Sequence, residues 1–404
     1  MQFGLLGEKL GHSYSPQIHR NFGDYPYQLF EKQPEELEDF LKNGNFVGIN
    51  VTIPYKKAVI PYCDSLSERA KQLGAVNTIV RQKGGRLVGH NTDYFGFASM
   101  VARSGLIVAD KKVLVLGSGG ASVTAVAVLQ ELGANVVVIS RTGENNYTNL
   151  ANHKDTAIIV NTTPVGMYPN TDASPVDISI FPELEGVLDV IYNPANTKLL
   201  QAAQVRNLIA INGLWMLVAQ AKESAEWFMG HKIPDGEIAS VHATLKQQME
   251  NIVLVGMPGC GKSTIGALLA EKMGKQFIDA DAEIVNTAGM SIPDIFSNSG
   301  EAGFREIETA VLKKLGKQSG LVIATGGGCV TREENYPVLH QNGKIIWIRR
   351  NIAQLPTDGR PLSQTNDLQQ MYRQREPLYA RFSDFSVENN DTPGAVVSSI
   401  LGAL

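Results

Sequence analysis

The 404-residue chain has only three cysteines, Cys63, Cys260 and Cys329. No two of them have metal-ligand spacing, and three cannot build a disulfide framework. A reduced, cytoplasmic setting is therefore expected. A basic excess is missing too: 36 Lys and Arg stand against 40 Asp and Glu, a formal net charge of −4. That argues against a general binder of nucleic acid or anionic membrane, and leaves open local basic sites for small anions. No apolar run approaches the ~18 residues that a membrane-crossing helix needs. The first residues, MQFGLLGEKLGHS, lack a basic segment followed by an apolar one, so no secretory signal is expected. Low-complexity tracts and repeats of fixed period are absent as well. What is present is an ordinary soluble composition, 43% hydrophobic and 19% charged, able to build real cores. At ~100–200 residues per domain, the length suggests two or three domains.

Short apolar runs recur along the chain: VLVLG (113–117), NVVVIS (135–140), AIIVNTT (157–163), LDVIYN (188–193), NIVLVG (251–256), LVIATGGG (321–328) and KIIWIRR (344–350). Each has the length and β-branched content of a buried strand. Helix-like segments lie between them, such as 120–132 before Gly133 and 262–273 before Gly274, and a glycine just past a periodic run is a stop signal. Strands alternating with helices predict parallel α/β sheets. The segment 239–251 holds no Pro or Gly. It reads as a helix end running straight into the strand at 252–255, a short, stiff connection between two halves.

The sharpest motif is Gly256-Met257-Pro258-Gly259-Cys260-Gly261-Lys262-Ser263-Thr264. It fits G-x-x-x-x-G-K-[ST] and sits between a strand and a helix. Its glycines let backbone N–H groups converge on phosphate oxygens, and the following helix adds its positive end. Lys262 is a point charge for the β and γ phosphates, and Ser263 offers a hydroxyl to Mg²⁺. Cys260 reads as a small filler. Downstream lie Phe277-Ile278-Asp279-Ala280-Asp281, then Gly300 to Glu308 with Arg305, then Thr325-Gly326-Gly327-Gly328, Gly359-Arg360-Pro361-Leu362 and Arg375-Glu376-Pro377-Leu378-Tyr379. Asp279 and Asp281 stand two apart at a strand end, where both can face one side. A helix cap is the plain alternative for them, as a surface ion pair with Glu301, Glu306 or Glu308 is for Arg305.

The ordered set over 250–404 resembles shikimate kinase. The resemblance implies a P-loop, nucleoside-monophosphate-kinase-like domain with a parallel five-stranded sheet. Gly259, Cys260, Gly261, Lys262, Ser263 and Thr264 would bind ATP, with Ser263 and Asp279 holding Mg²⁺. Asp281 would orient or deprotonate the attacking hydroxyl. Arg305 and Arg375 would clamp the shikimate carboxylate, a task suited to the guanidinium fork. Gly326, Gly327 and Gly328 would bring backbone amides close to the substrate. Arg360 would sit on a lid and stabilise the transferring phosphoryl group.

A second glycine-rich turn follows the strand at 113–117: Gly117-Ser118-Gly119-Gly120-Ala121, with Ser122 in place of the third glycine of G-x-G-x-x-G. This is the pyrophosphate-binding geometry of a Rossmann unit. About 20 residues on, where an NAD site would place Asp or Glu, stand Ser140-Arg141-Thr142. Arg141 can pair with a 2′-phosphate, which favours NADP, while the nearby Glu144 would weaken that preference if it faced inward. Around this unit lie Gly11-His12-Ser13-Tyr14-Ser15-Pro16, Asn50 to Lys56, Gly74 to Thr78, Gly89-His90-Asn91-Thr92-Asp93, Asn161 to Pro164, Asp189 to Pro194 and Asn212 to Gln220. Alone, Ser15 and Asp93 read as helix caps and Lys56 as a solvated charge.

Together the blocks from 1 to ~245 resemble shikimate dehydrogenase. The resemblance implies an α/β substrate domain at 1–97, closed by 215–247, and a Rossmann NADP-binding domain at 98–214. Ser13 and Ser15 would bind the substrate carboxylate, and Thr52, Asn77, Asn91, Tyr192 and Gln220 its hydroxyls or carboxylate. Lys56 and Asp93 would be the catalytic pair, and Gly213 would lie against the cofactor. The expected reactions are NADPH-dependent reduction of 3-dehydroshikimate and ATP-dependent phosphorylation of shikimate, with small molecules rather than nucleic acid or membrane as partners. Monomer and homodimer both stay open. The competing readings are a metabolite-sensing regulator without turnover, and a first half acting on quinate with NAD.

Overall fold

Alternating β-branched runs and glycine-stopped helices give parallel sheets throughout, with one antiparallel corner. In the computed structural model, residues 2–11, 13–355 and 368–404 are described. They divide into two compact units. One comprises Met1–Tyr192 and Leu199–Leu245, the other Asn193–Lys198 and Lys246–Leu404.

The first unit holds two sheets. The first is built from β1 (Gln2–Gly7), β2 (Tyr27–Glu31), β3 (Phe46–Val51), β4 (Ser65–Leu66), β5 (Thr78–Arg81) and β6 (Leu87–His90), in the order β2-β1-β3-β5-β6-β4. β1, β2 and β3 run parallel, while β5 runs antiparallel to both β3 and β6. The register places Asn50 opposite Thr78 and Thr78 opposite His90. The segments after β1, β3 and β6 and the segment before β5 therefore meet at one end of the sheet. Leu6, Ile49, Val51 and Ile79 make its core.

The second sheet contains β7 (Lys112–Leu116), β8 (Asn135–Ile139), β9 (Ile158–Asn161), β10 (Gly186–Asp189) and β11 (Ile209–Ile211), in the order β11-β10-β9-β7-β8 and all parallel. Along β7, Val113 and Val115 pack into one core and Leu114 and Leu116 into another. A strand covered on both faces has to be apolar at every position, and that is why VLVL reads as a continuous run. The predicted strand at 188–193 is shorter and earlier. It stops at Asp189, a fully buried side chain that accepts from Asn161 Nδ2 at 3.0 Å and from the Ile191 N–H at 3.1 Å. That local bonding satisfies the chain in a turn instead of a ladder.

The second unit has one parallel sheet of β12 (Asn251–Val255), β13 (Gln276–Asp279), β14 (Leu321–Ala324), β15 (Gly343–Arg349) and β16 (Phe385–Glu388), in the order β13-β14-β12-β15-β16. It matches the five parallel strands expected. The helix Gly236–Met249 and β12 are separated by Glu250 alone. Its terminal carbonyls are not left unsatisfied: Lys275 Nζ donates to the backbone oxygens of Gln247, Gln248 and Glu250 at 2.7, 3.0 and 2.7 Å. Among the described residues, no helix is long and apolar enough to cross a membrane.

Candidate active sites

The first unit gathers its polar side chains at the sheet end where β1, β3 and β6 finish and β5 begins. Lys56 Nζ lies 2.6 Å from Asp93 Oδ2, and both side chains are partly exposed, 31% and 16%. Asp93 opens the helix Asp93–Ser104, whose N-cap is Thr92, so Asp93 sits in the first turn and does not cap. Ser15 likewise begins its helix, behind an N-cap at Tyr14. Both cap readings fail for one reason: each side chain stands one residue inside the helix.

Asn77 is buried and holds Thr92 twice, accepting from its N–H at 2.7 Å and donating to its Oγ1 at 3.0 Å. Gln220 Oε1 is 3.5 Å from Asn77 Nδ2, while Gln220 Nε2 donates to Leu217 O at 2.8 Å. Asn91 donates to Ala75 O at 3.0 Å, and its Oδ1 is buried with no partner. An orphaned buried acceptor costs free energy unless a ligand hydroxyl satisfies it. The Ser15 N–H donates to Ser13 Oγ at 3.2 Å. Between those serines, the Tyr14 ring meets the Tyr192 ring edge-on at 6.2 Å. Burial, with Tyr14 adding to it, pushes the Tyr192 hydroxyl above its ordinary pKa, so it stays a neutral donor. Thr52 follows β3, its N–H donating to Leu6 O at 2.9 Å.

The dinucleotide elements lie at the ends of the paired parallel strands β7 and β8. Gly117 has φ 104°, which favours glycine, and its N–H donates to Ile139 O at 2.8 Å. The helix Gly120–Glu131 opens just beyond, with Gly119 as its N-cap. Methyl groups on Gly119 or Gly120 would meet nothing within 4 Å, so the turn is open for a pyrophosphate. Ser118 and Ala121 complete it. Ser122, at the third-glycine position, is buried. After β8, Ser140 Oγ accepts from the Gly143 N–H at 2.9 Å and shapes the turn that presents the exposed Arg141 and Thr142. Gly213 donates its N–H to Ile191 O at 2.9 Å.

In the second unit a cavity of about 490 Å³ is lined by Lys262, Ser263, Thr264, Asp279, Asp281, Arg305, Gly326, Gly327, Gly328 and Arg375, with Gly259 and Gly261 at its edge. Gly256, Gly259 and Gly261 all have positive φ. Cys260 is buried, as a filler should be. Lys262 Nζ donates to the loop's own carbonyls, Gly256 O at 2.9 Å and Met257 O at 3.1 Å. Ser263 Oγ donates to Asp279 Oδ2 at 2.6 Å. A hydroxyl and a carboxylate facing each other are hard oxygen donors that suit Mg²⁺. Asp279 also caps the helix Ala280–Ala288, accepting from the Asp281 N–H at 3.0 Å. Cap and ligand readings hold together here, because the cap uses one oxygen and Ser263 the other.

Arg305 is buried and paired with Glu308 Oε2 at 2.7 Å and Glu301 Oε1 at 3.1 Å. Its Nε and Glu308 Oε1 are buried without partners. The ion pair that stood as the alternative reading is thus present but buried rather than at the surface. Burial would lower the Arg305 pKa, yet the two carboxylates raise it on balance. Burial pushes the Glu308 carboxyl up despite the opposing Arg305. Arg375 Nη1 donates to Gly327 O at 3.3 Å, and Tyr379 Oη donates to the same carbonyl. A methyl on Gly326 would lie 2.7 Å from Glu308 Oε1 and 2.9 Å from Asp281 Oδ1. Arg360 lies outside the described residues. Glu308 and Arg350, which also line the cavity, were not anticipated as site residues. The i, i+3 spacing of Arg305 and Glu308 was the available signal.

Comparison with known proteins finds relatives for both halves of the chain. The family pattern described as "Shikimate kinase" matches residues 258–404, and "Shikimate dehydrogenase substrate binding domain" matches residues 5–79. A Clostridium perfringens protein named shikimate dehydrogenase (NADP(+)) is 36% identical over 266 residues, covering 60% of this chain and 98% of that protein. The crystal structure of shikimate dehydrogenase 1 from Peptoclostridium difficile is 37% identical with TM-score 0.56, over 60% of this chain and 97% of that one. A Thermus thermophilus shikimate 5-dehydrogenase, solved with NADP(H) and shikimate, is 29% identical with TM-score 0.54, over 60% and 99%. The chain belongs to the shikimate dehydrogenase family, and carries a shikimate kinase domain behind its dehydrogenase half.

Proposed function

We propose that the chain catalyses two consecutive steps: NADPH-dependent reduction of 3-dehydroshikimate to shikimate, then ATP-dependent phosphorylation of shikimate to shikimate 3-phosphate. The observation that carries this is the pair of separate sites, Lys56–Asp93 among hydroxyls and amides, and Lys262 across one cavity from Arg305 and Arg375. Residues 1–97 with 215–247 act as the dehydrogenase substrate domain, 98–214 as its Rossmann domain, and 250–404 as the kinase. A reduced, cytoplasmic setting fits three free cysteines.

In the dehydrogenase half, NADPH supplies the hydride. Ser13 and Ser15 hold the carboxylate, and Thr52, Asn77, Asn91, Tyr192 and Gln220 hold the ring. Negative charge builds on the ketone oxygen as the carbon is reduced. Lys56 stabilises that oxygen and supplies or relays its proton, and Asp93 fixes the ammonium in place. In the kinase half, Ser263 and Asp279 would hold Mg²⁺, which would supply charge neutralisation at the phosphates. Gly259 to Thr264 cradle ATP. Asp281 orients the attacking hydroxyl and takes up its proton, and Arg305, Arg375 and the amides of Gly326–Gly328 align the acceptor.

The test is to supply 3-dehydroshikimate with NADPH, ATP and Mg²⁺ and follow both products. Omitting ATP is expected to halt the sequence at shikimate, and omitting NADPH to stop the first step alone when shikimate is added. Absence of shikimate 3-phosphate with all components present would refute the reading. Arg141 gives a sharper check on the cofactor. Arg141→Ala removes the partner of the 2′-phosphate and is expected to raise KM for NADPH about tenfold or more. KM for NADH should stay nearly constant in the same steady-state assay.

A further inference from the structure

At the dehydrogenase site a polar knot ties Asn77 and Gln220 to buried side chains that have no assigned role. Ser224 is fully buried in the helix Leu214–Met229, one turn beyond Gln220. Its Oγ lies 2.8 Å from Asn50 Nδ2, 2.9 Å from Thr78 Oγ1, 2.9 Å from Thr92 Oγ1 and 2.9 Å from Gln220 O. Asn50, Thr78, Thr92 and Asn77 are buried around it. Asn50 Oδ1 in turn accepts from Tyr27 Oη at 2.7 Å.

Counting protons narrows how this knot can be ordered, and one order serves every oxygen in it. A carbonyl can only accept, and Ser224 Oγ, 2.9 Å from Gln220 O, donates to it in that order. Its two lone pairs then receive Asn50 Nδ2–H and Thr92 Oγ1–H. Thr78, which accepts from Asn50 Nδ2 at 3.1 Å, directs its own proton to Asn77 Oδ1 at 3.2 Å. That oxygen also accepts the Thr92 N–H and is saturated. Asn77 Nδ2 gives one proton to Thr92 Oγ1, and its other N–H points on, to the side where Gln220 Oε1 stands 3.5 Å away.

We propose that Ser224 is a positioning residue for the dehydrogenase. Its single hydroxyl accepts the Thr92 Oγ1 proton and so keeps it off Asn77 Oδ1 and Gln220 Oε1, 3.3 and 3.4 Å from Thr92 Oγ1, leaving both carboxamides set for a substrate oxygen. Through Thr92 it also anchors the turn from which Asp93 projects. Without the Ser224 acceptor, Thr92 has no oxygen for its proton except those of Asn77 and Gln220. The Thr92 hydroxyl then turns onto Asn77 Oδ1 or Gln220 Oε1 and draws the carboxamide out of place, while the Thr92 N–H keeps Asn77 Oδ1 facing inward. The inference rests on reading this cleft as the dehydroshikimate site.

The experiment compares Ser224→Ala, Asn77→Ala and the double variant of the full chain. Phosphorylation of added shikimate serves as the folding control. Ser224→Ala is expected to raise KM for dehydroshikimate about tenfold, with kcat within about twofold and kinase activity unchanged. In the double variant KM should be no higher than with Asn77→Ala alone, because Ser224 acts through that side chain. If Ser224→Ala does not fold, Thr92→Val, which keeps the shape and removes the hydroxyl, should give the same KM pattern, and Thr92→Ser should restore it. Fully multiplicative effects, or an unchanged KM in Ser224→Ala while Asn77→Ala raises it, would overturn the proposal. An unchanged KM in Asn77→Ala would instead overturn the substrate reading of the cleft, and this inference with it.

Discussion

Lys56→Ala is expected to cut kcat/KM for NADPH-dependent reduction by ~10³, the range in which a positioned general acid contributes. Phosphorylation of added shikimate by the same preparation should be unchanged. The ammonium is 2.6 Å from Asp93 and partly open to solvent. Its loss leaves behind no deeply buried, uncompensated charge, so a fall in activity would report chemistry more than unfolding. Lys262→Ala should do the converse. That side chain is held by two carbonyls of its own loop, Gly256 O and Met257 O, and no other loop residue can offer a cation to the γ-phosphate. Phosphorylation should drop by ~10³ on loss of this electrostatic contribution, while dehydroshikimate reduction stays at its unaltered rate. Loss of both activities from either substitution would mean that the two chemistries are not divided as proposed.

Much of this division was legible in the sequence because it is local. The run VLVL before Gly117 and the run NIVLV before Gly256 announce buried parallel strands. The phosphate loop is nine consecutive residues whose spacing carries its mechanism. What sequence could not give is pairing across distance. Asn50 and Ser224 bond across 174 positions, and nothing in the amphipathic pattern of the helix Leu214–Met229 marks Ser224 as more than a small buried residue. Glu308 was visible as a neighbour of Arg305, and a surface ion pair was the alternative to the carboxylate clamp; its burial beside Gly326 comes from tertiary packing that the local spacing does not carry. Asp189 shows the opposite failure. It ends β10, but residues 190–193 after it read as strand too, because the turn that its carboxylate stabilises depends on Asn161 from the neighbouring β9. The cap alternatives for Ser15 and Asp93 each missed by a single position, the usual resolution of cap signals.

Gly328→Ala should cripple the kinase selectively. A methyl group built on Gly328 would overlap the Arg305 guanidinium. That guanidinium has little room to retreat, since Glu308 and Glu301 hold its two ends and the residue is 5% exposed. Backing away from the methyl would break a buried ion pair, whereas staying would push the substrate loop outward. Either response shifts the guanidinium fork, which we propose clamps the shikimate carboxylate, relative to the phosphate loop. A displacement of about 1 Å in a positioning group costs ~10²-fold, so kcat/KM for shikimate should fall by that factor. KM for ATP should change little, because Lys262 and Ser263 belong to a different loop. Reduction of dehydroshikimate should be unaffected. Gly402→Ala, where an added methyl meets nothing within 4 Å, is the matched control and should leave both activities intact. A Gly328→Ala protein that phosphorylates shikimate with unchanged kcat/KM would show that Arg305 does not hold the acceptor.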